Sequence, residues 1–386
     1  MNMHKTSDIR YIGVNDHEID LFEGQSAVPN GMAYNSYAIV DEKIAVMDSV
    51  DRHFAGEWLE HIAQALGGRT PDYLIVQHME PDHSGSIEAF MDAYPQATIV
   101  SSAKAFSMMQ AFFGKDYADR RLAVKEGDTL SLGRHELRFF TAPMVHWPEV
   151  FVTYDACEKA LFSADAFGKF GALDVQEDWA DEARRYYIGI VGTYGAQVQA
   201  LLKKLAALDV QTICPLHGPV LEDNLASYLA LYDCWSSYRP ESHGVTIACA
   251  SIYGGTMKAA RLLADQLRAQ GETVVLYDLA RCDMAQAVSD AFRYDRLVLA
   301  SSTYNAGVFP FMQTYIHHLT ERGFRNRTVA LMESGAWAPM AAKVMRGMLE
   351  SSKELTFAET AVKITCAPSD ATQAQIDALA AELHGA

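Results

Sequence analysis

Within six consecutive residues, His78-Met79-Glu80-Pro81-Asp82-His83, the chain sets two imidazoles and two carboxylates. The apolar run Tyr73-Leu74-Ile75-Val76 precedes them, and Ser84-Gly85-Ser86 leads into a helical pattern. The four side chains therefore sit on one strand-to-helix turn, where they need cations to pair their charges away from water. The spacing His-x-Glu-x-Asp-His suits a two-metal site. Alternate residues of an extended run share a side, which predicts His78, Glu80 and Asp82 pointing one way and His83 opening toward a neighbouring position. A zinc hydrolase would favour imidazole at the place of Glu80; a hard carboxylate tilts the site toward iron or manganese.

Three later residues join the set. His146 lies in Pro143-Met144-Val145-His146-Trp147-Pro148, just past the strand-like run Glu136 to Thr141. Asp165 follows Ala160-Leu161-Phe162-Ser163, and His217 stands in Cys214-Pro215-Leu216-His217-Gly218-Pro219. Each is a potential ligand at a strand end, where the loops of a packed sheet converge. Seven groups suffice for two metals, with three terminal ligands each and one bridging carboxylate.

A second constellation sits far downstream. Ser251-Ile252-Tyr253-Gly254-Gly255-Thr256-Met257 follows an apolar strand and opens a helix. Glycines let backbone N–H groups approach an anion, and the Ser251 and Thr256 hydroxyls add donors at a positive helix end. It has neither the Gly-Lys-Ser/Thr of a Walker loop nor G-x-G-x-x-G. The loop resembles the hydroxyl-rich loops that hold the phosphate of FMN in flavodoxin-like domains without a cationic side chain. Two further loops, Thr303-Tyr304-Asn305-Ala306-Gly307 and Ser334-Gly335-Ala336-Trp337, fall at strand ends where an isoalloxazine ring would lie. Tyr304 and Trp337 offer flat faces to such a ring, and the backbone around Asn305 and Gly307 its polar edge.

The elements that position these residues fall into two patterns. Up to the polar stretch Ser236 to Gly244, strand-like runs (Ser36 to Val40, Ile44 to Met47, Leu74 to Val76, Thr98 to Val100, Glu136 to Thr141, Ala160 to Ser163) predict antiparallel or mixed sheets. From Ser163 to Tyr238 the pattern turns mostly helical, with one strand near Thr212 to Cys214. Beyond Val245, five strands alternate with helices, as in a doubly wound parallel sheet of flavodoxin size. The expected domains are 1–243 and 244–386, and 386 residues agree with two.

A net charge of −17 argues against a nucleic-acid binder, which needs a basic face. Met1 to Arg10 is polar, without the apolar core of a signal peptide, and no apolar run reaches membrane-spanning length. The six cysteines are scattered without a C-x-x-C pair, which excludes a rubredoxin-like iron centre within the chain. They read as buried, reduced thiols of a cytoplasmic protein.

The seven candidate ligands, with Gly13-Val14-Asn15-Asp16 and Leu21-Phe22-Glu23-Gly24, are similar to those of flavodiiron proteins, and the chain resembles that family over its whole length. The resemblance implies a four-layer αββα sandwich of metallo-β-lactamase type, followed by a flavodoxin-like FMN domain. It implies one iron on His78, Glu80 and His146, a second on Asp82, His83 and His217, and Asp165 bridging. Gly335 departs from the family, which commonly has an aromatic there. Reduction of O2 to water takes four electrons, two from a diferrous site and two from reduced FMN; two NO yield N2O for two. The expected activity is thus O2 or NO reduction or both, with an external donor such as rubredoxin and a homo-oligomer built from head-to-tail dimers. The competing expectation is a binuclear zinc hydrolase fused to a flavodoxin-like domain, which Glu80 disfavours. A third, an FMN-only electron carrier, leaves seven ligand-type residues without a task.

Overall fold

The computed structural model describes residues 8–385, so the polar N-terminus lies, as far as Ser7, outside the described residues. By internal contacts the chain forms two compact units. One runs through Phe22 and resumes over Val28–Asp233; the other takes Glu23–Ala27 and the chain from Cys234 onward.

The first unit is built on two mixed sheets. One orders its strands Ile9–Tyr11, Tyr37–Val40, Ile44–Met47, Tyr73–Ile75, Thr98–Ser102 and Arg121–Val124, antiparallel at first and parallel from Ile44–Met47 onward. The other orders Thr129–Ser131, Glu136–Thr141, Phe151–Asp155, Ala160–Phe162 and Thr212–Cys214, the last pair parallel. Their facing residues, among them Tyr37, Ile39, Met47, Ile75, Phe139, Phe151 and Phe162, form one buried core. Helices cover the outer faces. Ala55–Leu66 buries Trp58, Ile62 and Leu66, a four-residue spacing that makes one apolar stripe, and it ends at Gly67 with φ +59°. The stretch after Ser163 is less helical than its composition predicts: residues 163–178 form turns stitched to the N-terminal region, as where Leu173 N donates to Asn15 and Ala172 N to Asn30.

The second unit holds one largely parallel sheet, ordered Val274–Asp278, Ser242–Ala250, Tyr294–Tyr304, Arg327–Ser334, Leu355–Phe357. The alternation beyond Val245 predicts five strands. The fifth is split: Leu355–Phe357 pairs with the start of Arg327–Ser334, and Val362–Ile364 pairs with its end. The helix after Arg327–Ser334 spans Ala341–Met348 and starts past Pro339, which carries no amide hydrogen and restricts the residue before it. Gly255–Ala269 and Asp370–His384 pack on one sheet face through Leu263, Leu267, Ile376 and Leu379.

No helix among the described residues is long and apolar enough to cross a membrane. None of the six cysteines is in a disulfide, but burial holds only for Cys214 and Cys249, whereas Cys157 and Cys366 are exposed. The apolar neighbours that suggested burial flank strand cysteines; Cys157 and Cys366 occupy turns.

Candidate metal centre and flavin edge

Four loops carry the seven metal-competent residues to one end of the first unit's sheets. They follow Tyr73–Ile75, Glu136–Thr141, Ala160–Phe162 and Thr212–Cys214. All seven come together, as His78, Glu80, His146 and Asp165 in one group and Asp82, His83 and His217 in another. Asp82 thus departs from the alternation read from the sequence. Pro81 starts a helical turn, Pro81–Ser84, with Glu80 as its N-cap at φ −58° and ψ 140°. The chain coils rather than extends there, so Asp82 turns away from His78 and Glu80 and joins His83.

Asp165 ties the two groups. Its Oδ2 lies 3.0 Å from His146 Nε2 and 3.3 Å from His78 Nε2, while its Oδ1 lies 3.4 Å from His83 Nε2 and 3.8 Å from His217 Nε2. One carboxylate oxygen therefore faces each histidine pair. Glu80 Oε2 sits 3.0 Å from His146 Nε2 and 3.2 Å from His78 Nε2. On the other side, Asp82 Oδ2 is 3.3 Å from both His83 Nε2 and His217 Nε2, which are themselves 2.9 Å apart.

This donor set fits two cations. Both carboxylate oxygens of Asp82 and both of Asp165 are buried without a hydrogen-bond partner, a costly state unless a cation sits against them. Protonation tells the same story. Burial opposes charge on His146, yet the adjacent carboxylates of Asp165 and Glu80 push its pKa up to about 9. Burial likewise opposes charge on His78, but Asp165, Glu149 and Glu80 hold its pKa well above the usual imidazole range. Asp165 is fully buried, and His78, His146 and His83 still hold it well below the carboxylate range. Metal cations would compete with protons for these same histidine lone pairs and pair with the same carboxylates.

Supporting groups orient the ligands. Glu149 Oε1 lies 2.9 Å from His78 Nδ1 and accepts from Met79 N at 2.9 Å. His217 Nδ1 is 2.7 Å from the Ala33 carbonyl, leaving Nε2 for the centre. Asp48, at φ +53°, accepts from Gln77 N at 2.7 Å and His78 N at 3.3 Å, and burial lifts its pKa to about 6. The Tyr186 ring stands 5.4 Å from that of His217, and its buried hydroxyl has no hydrogen-bond partner. Burial, then the charges of Asp165, Glu80 and Asp82, keeps this phenol protonated. Sequence reasoning missed Asp48, Glu149 and Tyr186. Asp48 carried a signal, as a polar residue ending the apolar strand Ile44–Met47; Tyr186 carried none.

The second constellation lines the C-terminal edge of three neighbouring parallel strands, Ser242–Ala250, Tyr294–Tyr304 and Arg327–Ser334. The chain steps to opposite sides of Ser242–Ala250, the switch point at which such sheets bind ligands. Gly254, at φ +89°, precedes the helix Gly255–Ala269, and no side chain caps its first amides. Thr256 is buried, its Oγ1 3.0 Å from Ser302 Oγ, and Ser251 Oγ accepts from Gly254 N. A Cβ on Gly255 would stand 1.9 Å from the Cys366 carbonyl oxygen, so only glycine fits. Ile252, Tyr304 and Trp337 are exposed, Tyr253 wholly so. Asn305 and Ala306 both adopt positive φ at the loop tip, and Met257, Gly307, Ala336, Gly335 and Ser334 complete the rim. The donor set and exposed flat faces fit FMN.

Residues 32–218 match the family described as ODP family beta lactamase, and residues 247–375 match Flavodoxin. The chain is 30% identical over 383 residues to the rubredoxin-oxygen oxidoreductase of Megalodesulfovibrio gigas, covering 96% of this chain and 94% of that one. It is 28% identical over 373 residues to the nitric oxide reductase of Moorella thermoacetica, covering 94% and 93%. The solved structure of rubredoxin oxygen:oxidoreductase from Desulfovibrio gigas superposes with a TM-score of 0.91 at 28% identity, over 98% of this chain and 96% of that one. A metallo-β-lactamase-like unit with a two-cation cluster, joined to a flavodoxin unit, defines an oxidoreductase that pairs a non-haem diiron centre with FMN. The chain belongs to the flavodiiron protein family.

Proposed function

We propose that this chain reduces O2 to water, NO to N2O, or both, at a diiron centre held by seven side chains. His78, Glu80 and His146 would hold one iron, Asp82, His83 and His217 the other, and Asp165 would serve both. The observation that carries this reading is the split of the Asp165 carboxylate, one oxygen toward each histidine pair. The loops Ser251–Met257, Thr303–Gly307 and Ser334–Trp337 would hold FMN, in a domain taken as 244–386 that follows in sequence a diiron domain taken as 1–243. When bound, the iron pair and FMN supply four electrons, enough for O2, while the pair alone supplies the two that N2O formation requires.

The chain's own residues do the rest. Glu149 and the Ala33 carbonyl fix the rings of His78 and His217, so each presents Nε2 without reorganisation. Glu80, Asp82 and Asp165 give an oxygen-rich field that favours iron over zinc. Tyr186 keeps a proton at its hydroxyl beside the three carboxylates. Electrons come from a separate reduced donor of rubredoxin type, a reading supported by the name of the Megalodesulfovibrio relative. The chain works in the cytoplasm as head-to-tail dimers in which one protomer's flavin edge serves its partner's metal centre.

Iron and FMN quantified anaerobically, followed by side-by-side O2 and NO turnover with reduced rubredoxin, test the proposal. Two irons and one FMN per chain with turnover of either gas are expected. Zinc with hydrolysis of a thioester or lactam, and no gas consumption, would replace this reading by the hydrolase. Sedimentation of the active species tests the dimer, which a fully active monomer would rule out.

A further inference from the structure

Glu333 is a buried acid that neither the metal centre nor the flavin contacts above use. It lies one residue before the end of Arg327–Ser334 and is 6% exposed. Among the described residues it forms no ion pair. Its Oε2 accepts from Ala342 N at 3.0 Å, within the first turn of Ala341–Met348. Beside it, Thr303 Oγ1 accepts from Met340 N at 3.0 Å and Ala341 N at 3.2 Å. Two flavin loops are thus anchored to one helix start, the second loop through Thr303 and the third through Glu333. A Cβ on Gly335 would lie 3.5 Å from Thr303 Oγ1 and 3.4 Å from Pro339, so the third loop packs against the Thr303 anchor. The positive end of the helix stabilises a carboxylate at that place.

We propose that Glu333 sets the reduction potential of the bound FMN, acting as a fixed negative charge beneath the second and third flavin loops. The inference rests on the reading of this edge as the FMN site. Electrons added to a flavin make it more negative, and a buried carboxylate nearby repels that charge with little screening by water or salt. The charge therefore lowers the potential and makes reduced FMN the stronger donor to iron. Glu333 touches no reacting atom; it acts through its field and through the loop that it anchors.

The test is anaerobic spectroelectrochemical titration of the full-length, FMN- and iron-loaded protein, with FMN content read in parallel. Glu333→Gln keeps an acceptor for Ala342 N–H but loses the charge, so its midpoint potential should shift positive while FMN stays bound. Glu333→Ala should show the same positive shift with weaker FMN retention. Glu333→Asp keeps the charge and should stay near wild type, which preserves the comparison if one variant folds poorly. An FMN-loaded Glu333→Gln with the wild-type potential overturns the inference alone, as does a Glu333→Asp shift equal to that of Glu333→Ala. A wild-type chain that takes up no FMN overturns the flavin site itself.

Discussion

The two candidate sites are made by opposite means. The metal centre is a buried cluster of side chains from four loops, in which His78, His83, Asp165 and His217 are inaccessible to solvent. The flavin edge is mostly backbone and exposed rings, with Trp337 at 83% and Tyr253 at 100% exposure. Hard cations need charged donors at fixed distances in a dry place, which rigid strand ends and a supporting shell of Asp48, Glu149 and Ala33 provide. A phosphate-bearing cofactor needs N–H groups at a helix start and a flat surface, which glycine and loop geometry provide. Damage to the first site should therefore come from losing a charge or lone pair, and damage to the second from adding an atom.

The largest effect follows from Asp165. Asp165→Ala removes the carboxylate that faces both histidine pairs and leaves four imidazoles without their shared counter-charge. We expect loss of most bound iron and of gas turnover by several powers of ten, with FMN content unchanged; metal analysis and flavin absorbance check both. Iron retained at two per chain with normal turnover would undo the bridging role. Gly255→Ala should do the reverse. Its new Cβ meets the Cys366 carbonyl at 1.9 Å, an overpacking that costs about 1–3 kcal/mol. FMN affinity should fall by roughly a power of ten or more, with iron retained.

This contrast also governs what the sequence discloses. Candidate metal ligands are legible because chemistry demands particular residue types: His78-x-Glu80-x-Asp82-His83 is improbable without cations, and strand ends point to His146, Asp165 and His217. Their grouping was less legible, since a single helical turn opened by Pro81 moved Asp82 across the centre. The alternating second unit was legible from its period, but the split of its last strand was not, because Leu355–Phe357 is three residues long and half exposed. Glu149 and Tyr186 stayed hidden for a further reason: their partners lie 71 residues away at His78 and 31 at His217, and only tertiary folding makes such neighbours.

A smaller effect is expected at Glu149, which touches no iron in the proposed arrangement. Glu149→Gln keeps an oxygen near Met79 N but removes the charge that orients and polarises His78. Substitutions of this kind cost about 10–100-fold in metal affinity. Chelator competition should show the loss confined to one of the two irons, the one assigned to His78. Equal weakening of both would mean that Glu149 supports the whole turn rather than a single ring.

The smallest effect separates a metal cluster from a mere crowd of ligand types. Asp8, His135 and Glu158 also bring ligand atoms within 4.8 Å of one another. Here, however, the charges are paired by the protein itself. His135 Nδ1 lies 2.9 Å from Asp155 Oδ2 and its Nε2 3.3 Å from Asp8 Oδ2, Arg134 pairs with Asp8, and Glu158 accepts from Asp8 N. No oxygen of this cluster is among the buried unpartnered atoms that mark Asp82 and Asp165. It should bind no iron, and it should act as a pH-dependent clasp. Burial opposes the charged ring, but Asp155 first, then Asp41 and Glu158, raise the His135 pKa above its ordinary 6.5. A pKa raised by folding stabilises the fold fully below the unfolded value and loses that contribution as pH climbs through the folded one. His135→Gln should therefore lower Tm at pH 6 and approach the wild-type Tm as pH rises past the folded pKa, with metal content unchanged. A Tm difference that stays constant or grows with pH would show that the ring acts there by packing and not by charge.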